Sequence, residues 1–455
     1  MRRYFGTDGI RGRANDDPMT VETALRLGRA VATLYSKPGH RARILVGKDT
    51  RLSGYMFEPA LVAGITSTGA DVIATGPLPT PGIAFLTTSM RCDAGIVISA
   101  SHNPFEDNGL KVFGSDGFKL PDEKEHELEA TMDNPARCKL AHGTDLGRAR
   151  RIEDANGRYV THLKTLLRPE VDLEGVKMVV DCANGAAYKA APLLFTELGA
   201  SVIATGVSPD GTNINRDCGS MHPSHVAERV LATGAQLGIA LDGDADRLIL
   251  IDEKGQEVDG DAVLAMCALE MKSRDRLAHN TVVATIMSNV GLQRALSSAG
   301  IRLERTGVGD RYVVQRMREG GFTFGGEQSG HLIFLDHATT GDGLVAALQV
   351  LNVMLSQGRP LSELAAVMQR SPQLLRSYRV RSRPPLDSLP TLVQRTREAE
   401  RQLGDDGRVV LRYSGTEPKV RIMVEGPDEA IIADIVHRLA EALATDVGLD
   451  DPGSH

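Results

Sequence analysis

Residues 95–113 read GIVISASHNPFEDNGLKVF, and the way that stretch is built decides how the whole chain is read. The apolar run GIVI has the composition of a strand buried on both faces. It stops at Ser99-Ala-Ser-His-Asn-Pro104, where Asn-Pro marks a turn, and a second apolar run, GLKVF, leaves the loop. The same strand–loop–strand unit recurs as GIAL-DGDAD-RLILI (238–251), FTFGG-EQSG-HLIFL (322–335) and RVVLR-YSGTEP-KVRIMV (408–424). The spacings are too uneven for a solenoid. Four units with differently functionalised tips predict four domains that point their loops at one cleft.

Around these units, strand-like runs at 43–47, 71–75, 176–180, 202–205 and 282–286 alternate with helical patterns at 55–69, 83–90, 186–198, 291–298 and 312–318. Such alternation predicts α/β layers with largely parallel strands. Polar or turn-rich seams at 134–154 and 252–260, and the stretch 371–390 with Pro372, Pro384, Pro385 and Pro390, place the expected domains at 1–150, 151–254, 255–369 and 370–455. The last ends in a long amphipathic helix, 428–445.

Composition narrows the function classes. The 455 residues suit several domains, and 42% hydrophobic with 24% charged residues is a globular balance that excludes disorder as the main state. A net charge of −7 argues against bulk binding to nucleic acid or anionic membrane. The five cysteines are scattered without a C-x-x-C pair, which fits a reducing compartment better than a disulfide framework or a zinc site. The start MRRYFGTDGIRG has no apolar signal region, and no apolar run is long enough to span a membrane. A cytoplasmic protein is expected.

Asp242, Asp244 and Asp246 stand at i, i+2 and i+4 between two apolar strands. Three converging carboxylates repel one another unless a cation neutralises them, and a hard divalent ion, Mg²⁺ above all, suits oxygen ligands. An EF-hand is excluded: Arg247 occupies the sixth position, where that loop needs Gly, and residues 248–251 are a strand. IALDGDA also approaches the loop of a haloacid-dehalogenase-type phosphatase, which stays open on this loop alone.

Ser101 ends a buried strand beside small residues and His102, a suitable seat for a phosphoryl-carrying hydroxyl, although a plain polar turn explains an isolated SHNP about as well. Lys111 follows with a positive charge. RYSGTEPKVR (412–421) offers Arg412, Ser414, Gly415, Thr416 and Arg421 as a phosphate nest, without the ending of a nucleotide-binding P-loop. GGEQSGH (325–331) puts Glu327, Ser329 and His331 on a loop suited to sugar hydroxyls or an amine. Arg11, Lys48 and Arg51 lie near strand ends, and each taken singly reads as a surface charge.

Together these loops resemble the α-D-phosphohexomutase superfamily, and within it the branch acting on amino sugars. The likeness runs from Tyr4 to about Gly426 through YFGTDGIRG, VGKDTRLSGYMFE, ISASHNPFEDNGLK, LDGDADR, VGDRYV, GEQSGH, TTGDGL and RYSGTEPKVRIMVEG. The phosphatase alternative does not explain the other loops.

The resemblance implies three mixed α/β domains and a smaller TATA-binding-protein-like α+β domain around a central cleft. It implies a phosphoserine at Ser101 and one Mg²⁺ held by Ser101, Asp242, Asp244 and Asp246. Arg11, Lys111 and His102 become the catalytic residues, Glu327, Ser329, His331 and Arg247 the sugar contacts, and Arg412, Ser414, Gly415, Thr416 and Arg421 the phosphate contacts. The implied reaction converts glucosamine 6-phosphate to glucosamine 1-phosphate through glucosamine 1,6-bisphosphate, which also serves as activator, and feeds UDP-N-acetylglucosamine synthesis. The implied partner is a small hexosamine phosphate, with no nucleic acid or membrane, and the chain works as a monomer or homodimer. A sibling enzyme acting on neutral hexoses and a silent sugar-phosphate sensor are the alternatives. Gly307 and Met221 depart from the family pattern.

Overall fold

The computed structural model describes residues 3–6, 8–414 and 418–449. Four sheets follow one another along the chain. The first has six strands in the spatial order Ile10–Arg13, Asp107–Gly114, Ala94–Ile98, Arg43–Lys48, Asp71–Pro77 and Ala149–Arg151. Its last four are parallel, and Asp107–Gly114 runs antiparallel to Ala94–Ile98. Every residue of Ala94–Ile98 is buried, which is why that strand reads as an unbroken apolar run.

The second sheet orders Glu257–Val258, Leu248–Asp252, Leu237–Leu241, Lys177–Asp181 and Ser201–Thr205. The third orders Arg302–Thr306, Thr281–Thr285, Phe324–Gly326 and Leu332–Phe334. The fourth is antiparallel throughout, with Lys419–Glu425 between Gln373–Arg379 and Arg408–Tyr413, and is backed by the helix Glu429–Val447. All four strand–loop–strand units of the sequence are antiparallel pairs.

Two details differ from the sequence reading. The second sheet continues to Val258, because Leu250 pairs with Val258 in a hairpin, so a division at residue 254 cuts a strand pair. The helix expected over 186–198 starts only at Ala190. Ala183 and Asn184 adopt left-handed φ angles of 54° and 49°. The turn they make delivers the Ala186 N–H to the Gly243 carbonyl at 2.8 Å, so this segment props the aspartate loop rather than winding into helix.

The first three sheets share one continuous core: Leu45 and Val97, Met178 and Leu241, Val282 and Phe324 belong to the same buried assembly. The fourth sheet has its own, around Val420, Ile422, Ile435 and Leu439. Its junction with the third is polar. Asn289 Nδ2 donates to the Ser371 carbonyl, and Ser371 N–H donates back to Asn289 Oδ1, both at 3.0 Å. Buried Glu425 accepts from Val290 N–H at 3.2 Å, Gln373 Nε2 at 2.7 Å and Arg408 Nε at 2.5 Å. A polar interface of this kind permits movement that an apolar core resists.

Asp261 lies behind that junction, fully buried, accepting from Asn289 N–H at 2.7 Å. Burial, then the charges of Asp259 and Glu425, push its carboxyl up to about 7, with Arg305 the neighbouring cation. The folded state therefore holds this proton more tightly than the unfolded chain, whose carboxyl titrates near ~3.9. Stability from this group is full below that value and is lost as pH rises towards 7. Asp261→Asn removes the dependence, so the melting temperature of the variant should gain on the parent by several degrees between pH 5 and pH 8. A gap that stays constant across that range contradicts the assignment.

Candidate active site

The strand Ala94–Ile98 carries the chain to Ser101, which adopts a left-handed φ of 54°. For a residue with a Cβ this costs roughly 1–2 kcal/mol, so the surroundings must hold it. Ser101 N–H donates to Ser99 Oγ at 3.0 Å, and Ser99 Oγ donates to Asp49 Oδ2 at 2.6 Å. Arg51 does most of the holding. Its side chain is 0% exposed, pairs with Asp49 at 2.8 Å, and donates to the carbonyls of Ser101 and Asn103 at 2.8 Å each, of Asp107 at 3.1 Å, and of Pro104. The single-residue reading of Arg51 as a surface charge is thus corrected: it is the post around which the serine loop is wound. Lys48 is likewise mostly buried, bonded to Glu58 at 2.6 Å.

The strands Leu237–Leu241 and Leu248–Asp252 clamp the aspartate loop against Ser101. Asp242, Asp244 and Asp246 are buried, each offering an oxygen within 4.8 Å of the others. Ser101 Oγ donates to Asp242 Oδ2 at 2.5 Å. Lys111 Nζ stands 2.8 Å from Asp244, 3.4 Å from Asp246 and 3.3 Å from Asp8. Thr80 Oγ1 donates to Asp244 at 2.7 Å.

Burial and the other two aspartates push the Asp242 carboxyl well above its ordinary range. Asp246 is held well below it, because Lys111 and His331 outweigh its burial. Among the described residues, buried Asp244 Oδ1 and Asp246 Oδ1 accept no hydrogen bond, although His331 Nδ1 and Arg247 Nε lie 3.6 and 3.9 Å from the latter. A buried carboxylate oxygen without a hydrogen bond is costly. An all-oxygen donor set with two such atoms fits a hard divalent cation.

Arg11 pairs with Asp8, which also receives Lys119, and Lys119 reaches Asp310 at 2.6 Å. His331, expected among the sugar contacts, completes this chain instead. It is 3% exposed, with Nδ1 3.6 Å from Asp246 and Nε2 3.5 Å from Asp310, and Nε2 accepts from Gly341 N–H at 3.1 Å. His102 Nδ1 stays 3.3 Å from Ser101 Oγ. Burial, then Arg247 and Arg11, lower the His102 imidazole to about 4, so it is neutral at neutral pH.

Glu327, Ser329 and Arg247 come together on a cavity of about 430 Å³, with Met287, Val308 and Met221 on its walls. Glu327 Oε1 accepts from Gly309 N–H at 3.1 Å. Arg247 Nε lies 3.9 Å from Asp246, which joins this cavity to the aspartate loop. Gly307 lies beside Tyr312 and brings no side chain of its own. On the fourth sheet Arg412 and Arg421 face each other across paired strands, and Arg412 Nε is buried with no hydrogen-bond partner among the described residues. Burial and Arg421 lower the Arg412 guanidinium. Ser414 N–H donates to the Lys419 carbonyl at 2.8 Å. Gly415 and Thr416 lie outside the described residues.

Sequence reasoning passed over Asp8, Asp49, Thr80, Lys119 and Asn215, whose bonds to the site cross between distant segments. The signal available was weak: a D-x-R triplet after a buried strand.

Three α/β layers and a small antiparallel domain, with a serine facing three aspartates, define a phosphohexomutase. Family models for the four domains of phosphoglucomutase/phosphomannomutase match residues 2–137, 157–255, 259–371 and 351–442, and the chain belongs to that family. It is 55% identical over 450 residues to the phosphoglucosamine mutase of Syntrophotalea carbinolica, covering 98% of each chain. It is also 55% identical over 444 residues to that of Myxococcus xanthus, covering 97% of each.

Among solved structures, a phosphoglucomutase/phosphomannomutase family protein from Burkholderia thailandensis superposes with a TM-score of 0.81 at 25% identity, over 98% of this chain and 99% of that one. Aspergillus fumigatus N-acetylphosphoglucosamine mutase, solved with GlcNAc-6P and magnesium, shares the fold with a TM-score of 0.67 at 16% identity, over 98% and 96%. No helix among the described residues is long and apolar enough to cross a membrane.

If the aspartates hold a cation, adding Mg²⁺ to metal-stripped protein raises its melting temperature, by the equivalent of about 2.7 kcal/mol at a hundred times Kd. Asp244→Asn should lose most of that rise. Equal melting temperatures with and without Mg²⁺ would dismiss the site.

Proposed function

We infer that this chain is an isomerase that interconverts glucosamine 6-phosphate and glucosamine 1-phosphate, with Ser101 carrying the phosphoryl group between the two positions. The observation that carries the reading is Ser101 Oγ held at 2.5 Å from Asp242, in a strained turn, at the mouth of a buried carboxylate triad. A serine on a polar surface turn needs no such support. The amino-sugar assignment rests on the 55% identity to phosphoglucosamine mutases over nearly the whole chain, and the neutral-hexose alternative is not favoured.

The steps follow from phosphoryl-transfer chemistry. O1 of glucosamine 6-phosphate attacks phospho-Ser101. The bond between phosphorus and Ser101 Oγ breaks, the O1 proton passes to the departing Ser101 Oγ, and glucosamine 1,6-bisphosphate forms. After the intermediate turns over in the cleft, Ser101 Oγ attacks the phosphoryl group on O6, the bond between phosphorus and O6 breaks, the serine proton passes to O6, and glucosamine 1-phosphate departs. Atoms balance, and the enzyme ends phosphorylated as it began.

A divalent cation, Mg²⁺ in this reading, would be held by Asp242, Asp244, Asp246 and phospho-Ser101 and would supply charge neutralisation at the transferring group. Lys111, tied to Asp244, Asp246 and Asp8, is a fixed positive charge beside that group rather than a proton carrier. His102, 3.3 Å from Ser101 Oγ, is within reach of the hydroxyl proton. Arg11 adds charge from the same side. Glu327, Ser329 and Arg247 orient the sugar, and Arg412, Ser414, Gly415, Thr416 and Arg421 grip the phosphate that is not reacting, on a domain whose polar junction lets it close.

The test is kcat/KM with Mg²⁺ and a trace of the matching 1,6-bisphosphate. Glucosamine 6-phosphate should exceed glucose and mannose phosphates by about 100-fold, or ~2–3 kcal/mol of transition-state discrimination. Equal rates would make the chain a general hexose mutase, and no turnover would make it a sensor. Ser101→Ala should nearly abolish turnover, and parental rates in that variant would end the phosphoserine mechanism.

A further inference from the structure

Ser101 belongs to the first sheet and the aspartates to the second, so the 2.5 Å bond from Ser101 Oγ to Asp242 spans a seam between two parts of the chain. Something must set the width of that seam, because a displacement of about 1 Å at a reacting centre costs on the order of 10²-fold in rate. The Arg51 side chain holds the serine loop to its own sheet; Thr50 and Leu52 beside it and Thr80 bond across the seam to Asn184, Gly211 and Asp244, but none of these bonds reaches the serine loop itself.

Asn215 reaches the loop from the other side. It lies after the strand Ser201–Thr205, is 8% exposed, and is anchored by its N–H to the Ala183 carbonyl at 2.9 Å. Its Nδ2 donates to the Ser101 carbonyl at 2.9 Å and to the Asn103 carbonyl at 3.1 Å. These are the two carbonyls that Arg51 holds at 2.8 Å. The aspartate loop closes on the same point. A Cβ at Gly243 would lie 2.6 Å from the Ser101 carbonyl oxygen and 2.9 Å from Asn215 Nδ2. The Ser101 carbonyl is therefore gripped from the first sheet by Arg51, from the second by Asn215, and capped by the backbone of the carboxylate triad.

We propose that Asn215 is a positioning residue for phosphoryl transfer: sharing two carbonyls with Arg51, it pins the Ser101 turn to the part of the chain that carries the aspartates and so sets the distance between them. It touches no reacting atom. The inference rests on the phosphoserine reading of Ser101 and adds to it the device that aligns the serine across the seam.

The variants are Asn215→Ala and the isosteric Asn215→Asp, which presents a carboxylate to two carbonyl oxygens. Asn213→Ala is the control. Asn213 braces the same loop through the Ser208 carbonyl at 3.0 Å and Asp210 N–H at 3.0 Å, and no hydrogen bond joins it to Ser101. Both Asn215 variants should lose about 30- to 100-fold in kcat, with KM for glucosamine 6-phosphate within about threefold of the parent, the split expected when alignment rather than substrate binding is lost. Asn213→Ala should keep the parental kcat.

Hydrogen exchange supplies a readout independent of turnover. The peptide covering residues 99–107 should exchange faster in Asn215→Ala than in the parent, and at the parental rate in Asn213→Ala. Parental kcat in both Asn215 variants, unchanged exchange of that peptide, or equal effects from Asn213→Ala would each overturn the proposal. A parent that leaves glucosamine phosphates untouched would instead remove the functional reading, and exchange would then decide the clamp alone.

Discussion

Three carboxylates buried within 4.8 Å of one another are the constraint from which the rest of this structure follows. Left to themselves they repel in a medium that screens poorly. The protein answers from its own side chains: Lys111 reaches in from the first sheet, Arg247 follows Asp246 directly in the chain, and the His331 imidazole stands beside Asp246 from the third. Asp8, Lys119 and Asp310 extend the alternation of charge outward. The shared core of the first three sheets serves the same end, since charges so arranged must not drift.

The flanking strands made the loops legible in the sequence. Each functional tip sits between two apolar runs, and local patterning reports such units well. What escaped was tertiary. Arg51 reads as a surface charge because its partners are carbonyls some fifty residues away, and a carbonyl leaves no mark on a sequence. Asn215 is hidden for the same reason. The misplaced His331 has a geometric cause: Glu327 N–H bonds to the His331 carbonyl at 2.9 Å, so the two residues bracket one turn, and the imidazole faces inward while Glu327 faces the cavity. Sequence adjacency suggested one surface where the strand pair has two.

The domain divisions show the same limit. Composition marks where polar residues gather, but the hairpin from Leu248–Asp252 to Glu257–Val258 is polar at its turn and still part of the second sheet. At the fourth sheet the change in composition coincides with a real change in packing, from a shared apolar core to a junction built on Glu425, Arg408, Asn289 and Ser371.

On that fourth sheet, Arg412 and Arg421 sit directly opposite each other on neighbouring strands, an arrangement that destabilises a sheet unless something answers the charge. The free protein thus carries a debt of repulsion in its own secondary structure. A dianion placed between the two guanidiniums would do more than dock: it would serve as a counter-ion to the strand pair. Ligand and fold would then cease to be separate, because part of what steadies these strands would arrive from solution with each molecule bound.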